Sequence, residues 1–104
     1  MLDAADIAEM QGKVAEVSST LRLLGNEKRL LVLCRLAMAG EMSVGELAEA
    51  VGLSQSALSQ HLSKLRADDL VATRREAQVL HYRIRDPRVE RLLEALYLIY
   101  CSKS

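Results

Sequence analysis

The 104-residue chain contains no phenylalanine and no tryptophan, and only three tyrosines. Half of it is nonetheless hydrophobic, so a core must be built mainly from Leu, Val, Ile, Ala and Met. No apolar run approaches the roughly 20 residues of a membrane-spanning helix, and the N-terminal stretch is acidic where a signal peptide is basic. These absences exclude a membrane partner and lead us to expect a cytoplasmic protein. There is no C-x-x-C pair, no glycine-rich phosphate loop and no legible nucleophile–base pair, which argues against an enzyme and against a cofactor. Net charge is lacking too, with 14 basic residues against 14 acidic ones. A zero balance by itself argues against a nucleic-acid partner, but the distribution is uneven. Met1 to Leu53 carries five basic and eight acidic residues, Ser54 to Arg85 carries six and three, and the remainder balances.

The positive segment begins where the sequence is most informative. Ser43 to Leu65 reads SVGELAEAVGLSQSALSQHLSKL. Val44, Leu47, Ala48 and Val51 are apolar at helical spacing, and Ser43 with Glu46 three residues later makes a capping box. Gly52 ends that helix, because glycine takes a left-handed turn cheaply. Ser54 caps a second helix, whose inner face is Ala57, Leu58, His61, Leu62 and Leu65. Two short amphipathic helices around a glycine turn are a helix-turn-helix, here over 43–65. The outward residues Gln55, Ser56, Ser59, Gln60, Ser63 and Lys64 are small, amide-bearing or cationic. Such a face suits a major groove, with Gln and Ser at base edges and Lys at phosphate. The plain alternative is an ordinary helix pair in an all-α protein.

On either side, the chain reads as one domain over 1–104, small enough that a second copy would add useful burial. Ile7, Met10, Val14, Val17, Leu21 and Leu24 are spaced 3, 4, 3, 4, 3, an a/d seam on a single helix over 1–24. The seam packs either on its own core or on a partner helix. Glu27 to Ala39 is apolar nearly all round, as a buried helix is. After Asp68 and Asp69, residues 70–84 read as a two-stranded hairpin with its tip near Glu76 to Gln78. Leu80, Tyr82 and Ile84 share one face of it. A basic hairpin behind a reading helix is a wing, with Arg74 and Arg75 placed for phosphate or a minor groove. Asp86-Pro87 opens a last helix over 87–101, with Val89, Leu92, Leu93, Leu96, Tyr97, Ile99 and Tyr100 on a broad apolar face. Ser102 to Ser104 is a short polar tail. The fold class expected is mainly α with a small β-hairpin: a winged helix-turn-helix with a helix added at each end, assembled as a homodimer. Dimer contacts are expected at Ile7, Met10, Val14, Val17, Leu21, Leu92, Leu96 and Ile99. DNA contacts are expected at Ser54, Gln55, Ser56, Ser59, Gln60, His61, Lys64, Arg74, Arg75 and Gln78.

The two cysteines, Cys34 and Cys101, lie far apart in the sequence. Cys34 among Leu30, Leu31, Ala37 and Met38 reads as a small core hydrophobe, and Cys101 as an idle surface thiol. The alternative is that they work together. The run Leu53 to Leu62 (LSQSALSQHL), the stretch Leu70 to Gln78 (LVATRREAQ), His81-Tyr82-Arg83 and the closing Tyr100-Cys101 resemble the ArsR class of bacterial winged-helix repressors. Within it they resemble the thiol-based, persulfide-sensing branch of the BigR, SqrR and HlyU type. The resemblance covers about Leu23 to Cys101. It implies a homodimer on an imperfect inverted repeat of double-stranded operator DNA. It also implies that Cys34 and Cys101 are the switch, joined by a disulfide or a longer polysulfide bridge when reactive sulfur acts as inducer, with release of DNA.

Other members of that class sense metals. Here the start of the helix before the turn, Met42 to Glu46, has no thiol, and the last helix offers Asp86, Glu90 and Glu94 without a histidine. No metal site is therefore assigned. A metal-sensing repressor, a general thiol-redox regulator and an anti-repressor remain the alternatives to a sulfur-responsive repressor.

Overall fold

The computed structural model describes residues 1–101; the expected polar tail lies outside them. Six helices and three short strands follow in the order α1 (Ala4–Gln11), α2 (Val14–Leu24), α3 (Glu27–Ala39), β1 (Met42–Ser43), α4 (Val44–Val51), α5 (Gln55–Ala67), β2 (Val71–Glu76), β3 (Val79–Ile84) and α6 (Pro87–Tyr100). The domain is elongated, 51 × 34 × 21 Å. No helix among the described residues is long and apolar enough to cross a membrane.

The single first helix expected from the seam is two helices. α1 ends at Gly12, whose N–H donates to the Glu9 carbonyl while Lys13 N–H donates to that of Met10, and α2 restarts at Val14. Glycine in a helix interior costs about 1 kcal/mol relative to alanine, and α1 has no buried residue to offset that. The heptad spacing continues across the break but the helix does not.

α3 also departs from expectation. Val32, Leu33 and Leu36 are buried, yet Leu31, Cys34 and Met38 are exposed, Met38 at 73%. An apolar stretch shows periodicity poorly, so a helix with one buried face resembles one buried all round. The composition of the core is narrower than expected as well. It consists of leucines and valines with Ala48 and Tyr82, while Met42 and Ile84 are only partly buried.

The helix-turn-helix forms as its caps dictate. The Ser43 hydroxyl accepts from Glu46 N–H at 3.2 Å, and the Glu46 carboxylate accepts from Ser43 N–H at 2.9 Å. Gly52 sits at φ +70°, and the Ser54 hydroxyl accepts from Ala57 N–H at 3.1 Å. Leu47, Ala48 and Val51 of α4 and Leu58, Leu62 and Leu65 of α5 pack with α3 into one core. α5 closes in a Schellman arrangement, with Asp69 at φ +60° and Leu70 N–H donating to the Leu65 carbonyl at 3.0 Å.

The hairpin is antiparallel, and its register pairs Thr73 with Tyr82 and Glu76 with Val79. Its two-residue turn is Ala77-Gln78, where Ala77 takes φ +56° without glycine's freedom. That is why no Asn-Gly signal marks it. The sheet has three strands rather than two, in the order β1-β3-β2, because Met42 and Ser43 pair with Tyr82 and His81. A two-residue strand is too short to show alternation in a sequence. α6 starts as read: Pro87 is its first residue and the Asp86 carboxylate accepts from Arg88 N–H at 3.0 Å.

Candidate nucleic-acid interface and the paired thiols

Three features occupy different parts of the molecule: a polar helix face with the wing, an apolar seam, and a groove holding both cysteines.

On α5 and its cap, Ser54, Gln55, Ser56, Ser59, Gln60, Ser63 and Lys64 are all exposed, while Leu58, Leu62 and Leu65 anchor the opposite face. The core thus fixes the rotation of the helix and leaves amides, hydroxyls and one ammonium facing outward. His61 is placed otherwise. It is partly buried, with Nδ1 3.4 Å from the Arg29 guanidinium of α3. Burial first, then the Arg29 and Lys64 charges, lower its pKa, so the ring is held neutral. The same Arg29 donates from Nε to the Leu23 carbonyl at 2.8 Å, tying the end of α2 to α3.

On the wing, Arg75 and Gln78 are exposed. Arg74 is engaged with Glu41, just before β1, at 2.6 and 3.2 Å, and with Glu76 at 3.6 Å. The hydrogen bond from Arg74 holds the Glu41 carboxyl below its usual range. Arg85 pairs with Asp69 at 3.2 Å. Sequence reasoning treated the wing cations as equivalent; Glu41, which partners one of them, lies 33 residues upstream of Arg74 and carried no signal.

The seam residues Ile7, Met10, Val14, Val17 and Leu21 are exposed, at 37–52%. Leu24, the last of the series, is buried in the chain's own core. Leu92 and Leu96 of α6 are partly buried and Ile99 is exposed. A groove between α2 and α6 is lined by Val17, Leu21, Val89 and Leu92, and Arg88 reaches Glu16 there at 3.4 Å. The apolar stripes of α2 and α6 thus lie side by side.

Cys34 and Cys101 line one groove between α3 and α6, together with Leu30, Leu93, Leu96, Tyr97 and Tyr100. Both thiols are free and exposed. Burial first, and then the neighbouring Cys101, push the Cys34 thiol up, so less of it is thiolate at neutral pH. The plain reading of Cys34 as a core hydrophobe does not survive, since Cys34 is exposed; Cys101 is exposed, as its plain reading expected. Against the two histidines the placement is also clear: His61 is on α5 and His81 on β3, and neither lines the thiol groove.

Residues 26–73 match the family described as bacterial regulatory protein, arsR family. The transcriptional activator HlyU of Vibrio cholerae is 45% identical over 97 residues, covering 93% of this chain and 89% of that protein. The crystal structure of the transcriptional repressor BigR from Xylella fastidiosa superposes with a TM-score of 0.86 at 36% identity, covering 92% of this chain and 97% of that one. A homodimeric winged helix-turn-helix DNA-binding domain from Mycobacterium bovis gives a TM-score of 0.77 at 30% identity, covering 86% and 82%.

Proposed function

We infer, since this chain belongs to the arsR family of bacterial regulatory proteins and is a DNA-binding transcriptional regulator, that it is a homodimeric repressor controlled by its two thiols. It is a winged-helix protein and not an enzyme. In this reading α5 enters the major groove of operator DNA, with Gln55, Ser56, Ser59 and Gln60 at base edges, Ser54 and Lys64 at phosphate, and Arg75 and Gln78 of the wing on the flanking backbone. Two copies joined along α1, α2 and α6 would set two reading helices on successive turns of the duplex. The homodimeric winged helix-turn-helix domain from Mycobacterium bovis supports that assembly.

The observation that carries the thiol control is the convergence of Cys34 and Cys101 on one groove between α3 and α6. α3 packs against α4 and α5, so it seats the reading helix, whereas α6 carries part of the apolar seam. A covalent bridge between them restrains the reading helix relative to the dimer axis, which is the two-state element a switch requires. A bias of about 3 kcal/mol towards the restrained state lowers DNA occupancy about a hundredfold. A bridge of several sulfurs tolerates a wider gap than a direct disulfide.

The test is intact-protein mass measurement of the reduced chain after a sulfane-sulfur donor and, separately, after peroxide, with promoter binding measured on each sample. Sulfur gained within a Cys34–Cys101 cross-link, together with lost affinity, supports sulfur control. Loss of two hydrogens with lost affinity under either reagent makes it a general thiol-redox switch. Unchanged binding in both samples overturns thiol control.

A further inference from the structure

Resting on thiol control, we propose that the Cys34–Cys101 groove selects neutral, apolar sulfane-sulfur donors, of the dialkyl trisulfide class, over anionic donors. The lining around the two thiols is aliphatic and aromatic, from Leu30, Leu93, Leu96, Tyr97 and Tyr100. The adjoining groove shares Cys34, Leu93 and Tyr97, and adds Met38, Glu90 and Glu94. Both carboxylates are exposed on α6, and neither has an ion-pair partner among the described residues. Among the described residues, no lysine or arginine lines either groove.

Each feature acts in the same direction. Alkyl chains gain by leaving water against the leucines, and a polarizable polysulfane chain makes favourable contacts with the tyrosine rings. An anionic donor loses hydration there with no cation among the described lining residues to replace it, and meets two like charges at the approach to Cys34. The seam residues Leu92 and Ile99 are not part of this lining; only Leu96 is common to both.

The chemistry balances with the donor alone. One cysteine thiolate attacks the central sulfur of R–S–S–S–R, breaks one S–S bond and releases RS⁻, leaving Cys–S–S–S–R. The second cysteine thiolate attacks the transferred sulfur and expels the other RS⁻. The product is a Cys34–S–S–S–Cys101 bridge and two RSH, whose protons come from the two cysteine thiols. The donor is reduced and the two cysteines are oxidised.

The test uses dipropyl trisulfide and glutathione trisulfide, whose glutathione arms each carry net negative charge. Each donor's rate of adduct formation with the folded, reduced full chain is divided by its rate with the same chain unfolded in urea, which removes intrinsic reactivity. The expected ratio is at least tenfold higher for dipropyl trisulfide. The double variant Glu90→Gln/Glu94→Gln should raise the glutathione ratio severalfold and leave the dipropyl ratio and the melting temperature unchanged. Equal ratios for the two donors, or a double variant that moves neither, overturn donor selection. A bridge that forms with the expected selectivity but leaves promoter affinity intact overturns thiol control while donor selection stands. Absence of a bridge with both donors overturns donor selection, and thiol control falls with it only if peroxide also leaves promoter binding unchanged.

Discussion

Glu41 holds the guanidinium of Arg74 at two points: Nη2 donates to Oε1 at 2.6 Å and Nε donates to Oε2 at 3.2 Å. The pair ties the wing to the short segment that leads into the helix-turn-helix, and it spends a wing cation on an internal partner. A phosphate approaching the wing must compete with this carboxylate for Arg74. Glu41→Gln should therefore tighten binding to specific and scrambled DNA alike, by about two- to fivefold, and steepen the salt dependence by about one phosphate contact. Fluorescence anisotropy over a salt series reads both quantities. Weaker binding by this variant would mean that Glu41 presents Arg74 to DNA rather than withholding it.

Arg75 and Gln60 should fail differently. Arg75 is exposed at the wing with no ion-pair partner among the described residues, so Arg75→Ala should weaken binding to every sequence about equally and reduce the salt slope by about one. Gln60 is exposed on α5 and suited to a base edge; Gln60→Ala should cost about 1–3 kcal/mol at one position of the operator and little elsewhere. Binding to a panel of singly substituted operators separates the two patterns. Equal losses on specific and scrambled DNA for Gln60→Ala would remove it from the reading surface.

Val14→Asp with Leu21→Asp should convert a dimer to a monomer without unfolding it. Both side chains are about half exposed in the single chain, so the charges cost little unless a partner covers them. Sedimentation should show half the mass and circular dichroism an unchanged helix content, with operator affinity lost. A wild-type chain that sediments as a monomer at micromolar concentration would refute the seam.

Cys34 should alkylate with an unusual pH profile. Its proton is held more tightly than in an ordinary thiol, through burial first and the second cysteine next. Only the thiolate reacts, so the rate should rise with pH through an inflection above the ordinary value of about 8.5. In Cys101→Ser the contribution of the neighbouring thiol is gone and that of burial remains; the inflection should fall but stay above the ordinary value. An inflection below 8.5 would show that the groove stabilises the thiolate.

What the sequence determined by itself was local. Ser43 with Glu46, Gly52, Ser54 and the Asp86-Pro87 step set helix ends through hydrogen bonds and backbone freedom that operate within four residues, and the observed helices begin and end there. Alternation placed Leu80, Tyr82 and Ile84 on one strand face for the same reason, since a strand's period is two. The tertiary structure decided what depends on distant partners. Gly12 breaks the first helix, and α1 buries no residue within its own chain that would carry the heptad pattern through it. β1 exists only because β3 lies beside Met42 and Ser43. Cys34 shares a groove with Cys101, and Arg74 a carboxylate with Glu41, because packing of the leucine core brings α6 against α3 and the wing against the start of the helix-turn-helix. Caps and periodicity are short-range and so are written in neighbouring residues. The meeting of two thiols far apart in the chain depends on how whole elements pack, and no local pattern records it.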